Sequence, residues 1–96
     1  MAVTTRPFDP AAYLETPEAR AAYLEDAFAG GDPAEITEAL GVVARVAGMT
    51  DIATETGLKR EALYRALSAA GNPEFRTVLQ VMRALGLQLT PGKKSA

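Results

Sequence analysis

Residues 49–68 read MTDIATETGLKREALYRALS, and this stretch predicts two helices joined by a tight turn. Thr50 is suited to begin a short helix as its N-cap. Gly57 is suited to end that helix, because glycine adopts a left-handed conformation at no steric cost. A second helix is expected from about Lys59 to Ala69. A short helix, a glycine turn and a second helix form the helix-turn-helix pattern.

The small and apolar residues of this stretch fit the same pattern. Ala53 is small enough for two helices to cross closely, and Leu58 follows the glycine, where it can fill the space between them. Leu63 recurs at helical spacing and is expected to face inward. Bundles of unrelated function also contain glycine-joined helices, so this spacing alone leaves DNA binding and simple packing equally open.

The outer face of the second helix carries charged and aromatic side chains. A recognition helix presents its N-terminal part to base edges in the major groove. Arginine can bind guanine through two hydrogen bonds, and glutamate can accept one from cytosine. The alternative is a solvated face of mixed charge. Because a helix-turn-helix pattern precedes this face, we favour DNA contacts over a merely solvated face. The expected contacts are Thr50 of the first helix together with Lys59, Arg60, Glu61, Tyr64 and Arg65 of the second.

The next break in the helical pattern is Gly71-Asn72-Pro73. Asn72 is the expected N-cap of the last helix, with Pro73 at its first position and Arg76 one turn further on. Helix N-termini and basic side chains near them bind phosphate oxygens. Asn72 and Arg76 are therefore candidate phosphate contacts, while a capping role alone for Asn72 is equally open.

The other helix boundaries are marked by capping residues and glycines. Asp9-Pro10, Thr16-Pro17 and Asp32-Pro33 each place a capping side chain before a proline, which predicts three helix starts. Gly30-Gly31 and Gly48 are expected to end helices. We therefore predict an all-α bundle of five to six helices.

Two further patterns concern packing. Gly41 interrupts an apolar helical face and predicts close approach of another helix. The last helix is expected to bury one face, and Leu87-Gln88-Leu89-Thr90 alternates like a short C-terminal strand. The inner face of that last helix consists of Phe75, Val78, Leu79, Met82 and Leu85.

Composition restricts the possible chemistry. The 96 residues are enough for one domain, and 48% of them are apolar. Cysteine, histidine and tryptophan are absent, which excludes disulfides, imidazole bases and the usual zinc sites. No nucleophile–base pair or glycine-rich phosphate loop occurs, so an enzyme is the least favoured class and we expect no cofactor. Without a long apolar run or a secretory signal, we expect a cytoplasmic protein with no membrane contact.

Charge is distributed unevenly along the chain. Residues 1–48 carry three basic and eight acidic side chains, whereas residues 49–96 carry seven basic and four acidic ones. The two halves therefore have net charges of −5 and +3. A chain divided in this way is suited to two partners of opposite charge.

Taken together, residues 48–68, Gly71-Asn72-Pro73 and residues 79–89 resemble the addiction-module antidote proteins, which are HigA-like type II antitoxins. The run Leu63–Ser68 followed by Gly71-Asn72-Pro73 is the most specific part. The resemblance extends over about residues 6 to 90 and includes upstream matches at Phe8-Asp9, Tyr13-Leu14, Ala22-Tyr23-Leu24 and Gly31-Asp32-Pro33.

The resemblance implies a lambda-repressor-like helix-turn-helix fold and a type II toxin–antitoxin function. The toxin would be a small basic RelE/ParE-like protein encoded next to this chain, and the antitoxin would repress its own operon as a homodimer on a palindromic operator. The domain would span residues 1–96, with an acidic helical extension (8–31), a core (32–86) and a flexible tail (91–96). Members of the family often have glutamine where Asp51 stands and serine where Lys59 stands. Without the glutamine, one contact with the DNA backbone is not expected here. Without the serine, the N-cap of the recognition helix is weakened, while Lys59 can instead reach a phosphate.

Two surfaces remain to be assigned to partners. Glu25 and Asp26 are candidate toxin contacts, because charge complementarity would orient a basic partner. The alternative is that these acids are merely solvated and that the neighbouring aromatic residues pack on the core. For the homodimer, residues 87–90 and the exposed side of the helix at 73–85 are the candidate surfaces.

Two other functions fit the same residues. The first is a helix-turn-helix repressor without a toxin, which only the neighbouring gene distinguishes from an antitoxin. The second is a small helical adaptor that binds protein alone, in which Arg60 and Arg65 would have no DNA to contact.

Overall fold

The computed structural model describes residues 13–94, and this part of the chain is all-α, as predicted. The helix start predicted at Asp9-Pro10 lies outside the described residues, as does the end of the tail. The five helices within the described range are α1 (Pro17–Gly30), α2 (Pro33–Ala47), α3 (Met49–Thr56), α4 (Arg60–Ala66) and α5 (Phe75–Ala84).

The starts of α1 and α2 are formed as the sequence predicts. The Thr16 hydroxyl accepts a hydrogen bond from the Ala19 N–H at 3.1 Å. The Asp32 carboxylate accepts one from the Ala34 N–H at 3.0 Å. A proline occupies the first turn of each helix, and Gly31, whose φ of 75° is left-handed, caps the C-terminal end of α1. Short-range capping chemistry therefore sets these boundaries.

The predicted cap at Thr50 is wrong. Gly48 occupies the N-cap position of α3, and its carbonyl accepts the Ile52 N–H at 3.1 Å. Thr50 lies inside the first turn, and its carbonyl accepts the Thr54 hydroxyl at 3.0 Å. The earlier start brings Met49 into the helix and places its side chain in the core, where it is buried.

The predicted cap at Asn72 is also wrong. The last helix begins only at Phe75, with Glu74 as its N-cap residue, and the Glu74 carbonyl accepts the Val78 N–H at 3.1 Å. The segment before it is held against the preceding helix, because a side chain at Gly71 would overlap the carbonyl oxygens of Arg65 and Ala66. The chain therefore reaches α5 by a stretch of loop two residues longer than expected.

One hydrophobic core joins the helices. α1 packs on α2, α2 on α3, and α3 on both α4 and α5. Residues upstream of the helix-turn-helix contribute to this same core. Its buried members are Leu14, Leu24, Leu40, Val43, Ala44, Met49, Ile52, Leu63, Leu67, Val81, Met82 and Leu85.

The close approach predicted at Gly41 is confirmed. A Cβ atom at this position would overlap the carbonyl oxygen of Leu67. The backbone that follows α4 therefore lies directly on α2. An added methyl group here would force the backbone to shift, because interiors are packed to crystal density.

Two predictions for the C-terminal part are wrong, one about burial and one about a strand. Phe75 is 67% exposed instead of buried, because α5 begins with this residue, so that Phe75 lies at the end of the packed face. Residues 87–90 form no strand: Leu87 and Leu89 pack on the core while Gln88 and Thr90 are exposed. The alternation thus arises from one chain segment lying on helices, with no second strand beside it in the described part of the chain.

Candidate nucleic-acid interface

The turn between α3 and α4 is fixed by Gly57 and Thr56. Gly57 has a left-handed φ of 76°, as predicted, and its N–H donates to the Ala53 carbonyl at 2.9 Å. The buried Thr56 hydroxyl donates to the same carbonyl at 3.3 Å and accepts the Leu58 N–H at 3.3 Å. Thr56 was not identified from the sequence, although a hydroxyl residue directly before a turn glycine is typical of such local bonds.

α4 presents two different faces. Leu63 is fully buried on its inner side, and Leu67, directly after the helix, is 1% exposed. The helix ends at Ala66, three residues before the predicted end, and the Ser68 hydroxyl donates to the Arg65 carbonyl at 2.9 Å. The short helix is therefore anchored by leucines on one side and leaves its other side available to a ligand.

All the residues predicted to read DNA from this helix are exposed. Lys59 occupies the N-cap position of α4 and makes no side-chain capping bond, which agrees with the absence of serine there. Thr50, at the start of α3, is also exposed. The side chains on the outer side of α4 are Arg60, Glu61, Tyr64 and Arg65.

Arg60 and Tyr64 form a pair one turn apart. The Arg60 guanidinium carbon lies 5.7 Å from the centre of the Tyr64 ring, a distance at which cation–π attraction operates. One guanidinium nitrogen of Arg60 also donates to the Tyr64 hydroxyl at 3.4 Å, a long hydrogen bond. Because arginine has five N–H donors, this contact orients the side chain and leaves most of its donors available.

Arg65 and Asn72 are brought together beside α4. They line one shallow depression between the helix and the loop that follows it. Arg76 is exposed in the first turn of α5 and does not line this depression. Two residues of the depression, Ser68 and Gly71, were not predicted as part of the site; the glycine matters because it lets the loop lie against the end of α4.

α1, which carries the acidic side chains Glu25 and Asp26, also has an outer and an inner face. Glu25 and Asp26 are exposed on α1, whereas Tyr23 and Phe28 are half-buried against the core. The alternative that the aromatic side chains pack inward is therefore confirmed for these two residues. Tyr13 is 48% exposed.

Arg20, the one base among the acids of α1, has a structural role that the sequence did not indicate. Its Nε donates to the Leu14 carbonyl at 3.1 Å, and a terminal nitrogen donates to the Leu85 carbonyl at 3.2 Å. Leu85 directly follows α5, so the arginine joins the segment before α1 to the end of the last helix. A cation is favourable there because helix C-termini carry partial negative charge.

Two other kinds of site are not formed by residues 13–94. No group of three or more acidic, histidine or cysteine side chains in this range could hold a metal ion. Among the helices of the described residues, none is both long and apolar enough to cross a membrane.

Comparison with known proteins identifies the family. The family model described as "Probable addiction module antidote protein" matches residues 4–92. An uncharacterized protein of Haemophilus influenzae is 44% identical to this chain over 81 residues, which cover 84% of each protein. No solved structure matches significantly. The chain thus belongs to the family of probable addiction module antidote proteins.

Proposed function

We propose that this protein is the antitoxin of a type II toxin–antitoxin pair, that it neutralises a basic RelE/ParE-like toxin, and that it represses its own operon. Family membership supports the antitoxin role. The observation that carries DNA binding is the two-sided α4, which is anchored by Leu63 and exposes a row of hydrogen-bonding side chains. This helix follows a glycine turn, as a recognition helix does in a lambda-repressor-like fold.

The residues of α4 have distinct roles in the proposed complex. Arg60 and Glu61 lie in the first turn, which a recognition helix directs at base edges. Arg60 binds guanine while Tyr64 orients its guanidinium, and Glu61 accepts from cytosine. Lys59 contacts a backbone phosphate at the entry to the helix.

The depression beside α4 is suited to the DNA backbone. Arg65 and Asn72 both line it, and either side chain can donate to a phosphate oxygen. Arg76 on α5 and Thr50 on α3 are exposed outside the depression and are further candidate donors to phosphate. Contacts of this kind fix the position of the protein without distinguishing one sequence from another.

A homodimer is proposed because one recognition helix reads few base pairs. Dimeric proteins with this motif bind half-sites about 34 Å apart on a palindrome. The exposed Phe75 at the start of α5 provides an apolar contact for a second copy, and Leu79 is half-buried one turn further along. We expect light scattering at micromolar concentration to give a dimer and Phe75→Ser to give a monomer; a monomeric wild type, both free and on DNA, would contradict the proposal.

DNA binding is tested by fluorescence anisotropy with the upstream promoter fragment and a scrambled fragment. We expect tight binding to the promoter alone, with an affinity that falls steeply as salt concentration rises. Arg83→Ala is a control for arginine substitutions on α4, because Arg83 is exposed on α5 and does not line the depression beside α4; this change should leave the affinity unchanged. Weak binding that is equal on both fragments would favour the protein-binding adaptor instead.

Neutralisation is tested by growth in cells that express the product of the neighbouring gene. We expect that this product arrests growth alone and that co-expression of the present chain restores it. A neighbouring product that is harmless, or that remains toxic in the presence of this chain, would contradict the antitoxin role and leave a stand-alone repressor.

A further inference from the structure

α1 and the segment after α5 enclose a groove. Leu24 and Phe28 of α1 contribute apolar surface to its wall, and Leu87 and Leu89 contribute apolar surface from the C-terminal segment. Ala21 also lines the groove, and its small side chain leaves the space open. The α1 residues that line it are spaced three and four apart, so they form one continuous face of the helix.

Among the described residues, the one charged residue that lines this groove is acidic, and the exposed charges of α1 beside it are acidic too. Glu25 lines it directly, and α1 also exposes Glu18 and Asp26. The compensating base of the same helix, Arg20, is turned toward two backbone carbonyls and is partly buried. The outward charge of α1 is therefore acidic only, which favours a basic partner and disfavours a nucleic acid.

We infer that this groove is the docking site for a segment of the toxin in which an apolar side chain is flanked by lysine or arginine. The apolar side chain enters between α1 and residues 87–90, beside Ala21, and a flanking cation pairs with Glu25. The inference rests on the proposed antitoxin function and assigns a surface to it. Buried apolar anchors surrounded by polar rims are the usual source of binding energy in protein interfaces.

The groove is separate from the proposed DNA surface. No residue lines both this groove and the depression beside α4. The proposed toxin site and the proposed phosphate site therefore use different residues.

Two matched pairs of substitutions in the full chain test the inference. Ala21→Trp fills the groove, whereas Ala22→Trp places the same bulk on the neighbouring exposed position, which does not line it. Glu25→Lys reverses charge at the groove, whereas Glu38→Lys reverses the charge of an exposed acid on α2 that does not line it. The probe is the purified product of the neighbouring gene, and binding is measured by calorimetry after thermal unfolding has verified each fold.

We expect Ala21→Trp and Glu25→Lys each to raise the Kd by about tenfold or more, which is the effect of losing an interface anchor. Ala22→Trp and Glu38→Lys should change the Kd by less than about threefold, since residues outside an anchor site contribute little. Similar losses within each pair, or no loss in any variant, would overturn the groove assignment while leaving the antitoxin function intact.

Two further outcomes separate the remaining possibilities. If Ala21→Trp changes self-association but not toxin binding, a second copy of this chain occupies the groove and the inference is wrong. If the wild-type chain does not bind the neighbouring product at all, the proposed antitoxin function fails first and the groove assignment fails with it.

Discussion

Arg20 in α1 and Arg60 in α4 are the same residue type in opposite situations. Arg20 is partly buried and donates to two carbonyls that are far apart in the sequence, Leu14 and Leu85. Arg60 is exposed, and it donates a long hydrogen bond to the Tyr64 hydroxyl on its own helix. The first arginine joins two parts of the fold, and the second is exposed on the face of α4 that we propose binds DNA.

This difference between the two arginines explains why α1 presents an acidic surface while α4 presents arginines to the solvent. Turning Arg20 inward removes a positive charge from the surface of α1 and leaves the acids Glu18, Glu25 and Asp26 unopposed. On α4 the leucines provide the anchoring, so the arginines can remain outside. The net charge of −2 therefore describes neither surface.

The largest effect on stability is expected at the contact that supports α4. Gly41→Ala should lower the free energy of unfolding by about 2–3 kcal/mol, because the new methyl group overlaps the Leu67 carbonyl and backbone must shift. Urea denaturation measures the change. Gly30→Ala is the control: it lies in α1, where an added Cβ would meet only the Glu35 side chain at an ordinary contact distance of 3.9 Å, and it should stabilise by about 0.4–1 kcal/mol. Equal effects of the two alanines would contradict the close packing.

A smaller loss is expected when the inward arginine is replaced. Arg20→Met should lower the free energy of unfolding by about 2 kcal/mol, since hydrogen bonds from a charged donor to two carbonyls are lost. Arg83→Met, on an exposed side chain of α5, should change it by less than about 0.5 kcal/mol. Thermal unfolding compares the two. If both substitutions had the same small effect, Arg20 would not join α1 to α5.

The smallest effect is expected at the turn itself. Gly57→Ala should cost about 1–2 kcal/mol, because alanine is disfavoured at a φ of 76° although the space around the position is empty. Gly57→Asn should cost less, since asparagine tolerates the left-handed conformation better than alanine does. Denaturation of both variants measures the order, and a greater loss with asparagine than with alanine would contradict a purely conformational role.

The features that sequence patterns predicted correctly depend on short-range chemistry. The caps at Thr16 and Asp32, the turn at Gly57 and the inward direction of Leu63 each follow from neighbours within one or two turns. Gly41 differs from these, because its contact is with a residue distant in the sequence. A glycine inside an apolar helical face nevertheless predicts a close contact, although it does not identify the partner.

The features that were missed depend on residues distant in sequence or on where a helix begins. Arg20 bonds to a carbonyl 65 residues away, which no local pattern encodes. Asn72 failed as a cap because the loop containing it is held against the end of α4. Phe75 fits the apolar period of α5 but lies at its first residue, where no core surrounds it.

The central claim is that the outward arginines of α4 bind DNA while Arg20 maintains the fold. The most direct measurement is promoter affinity by anisotropy together with unfolding free energy for Arg60→Ala, Arg65→Ala and Arg20→Met. We predict that each α4 substitution weakens promoter binding by about 1–3 kcal/mol with unchanged stability. Arg20→Met should lower stability alone, with promoter affinity unchanged where the variant is folded. Promoter affinity that is indifferent to Arg60 and Arg65 would contradict the account.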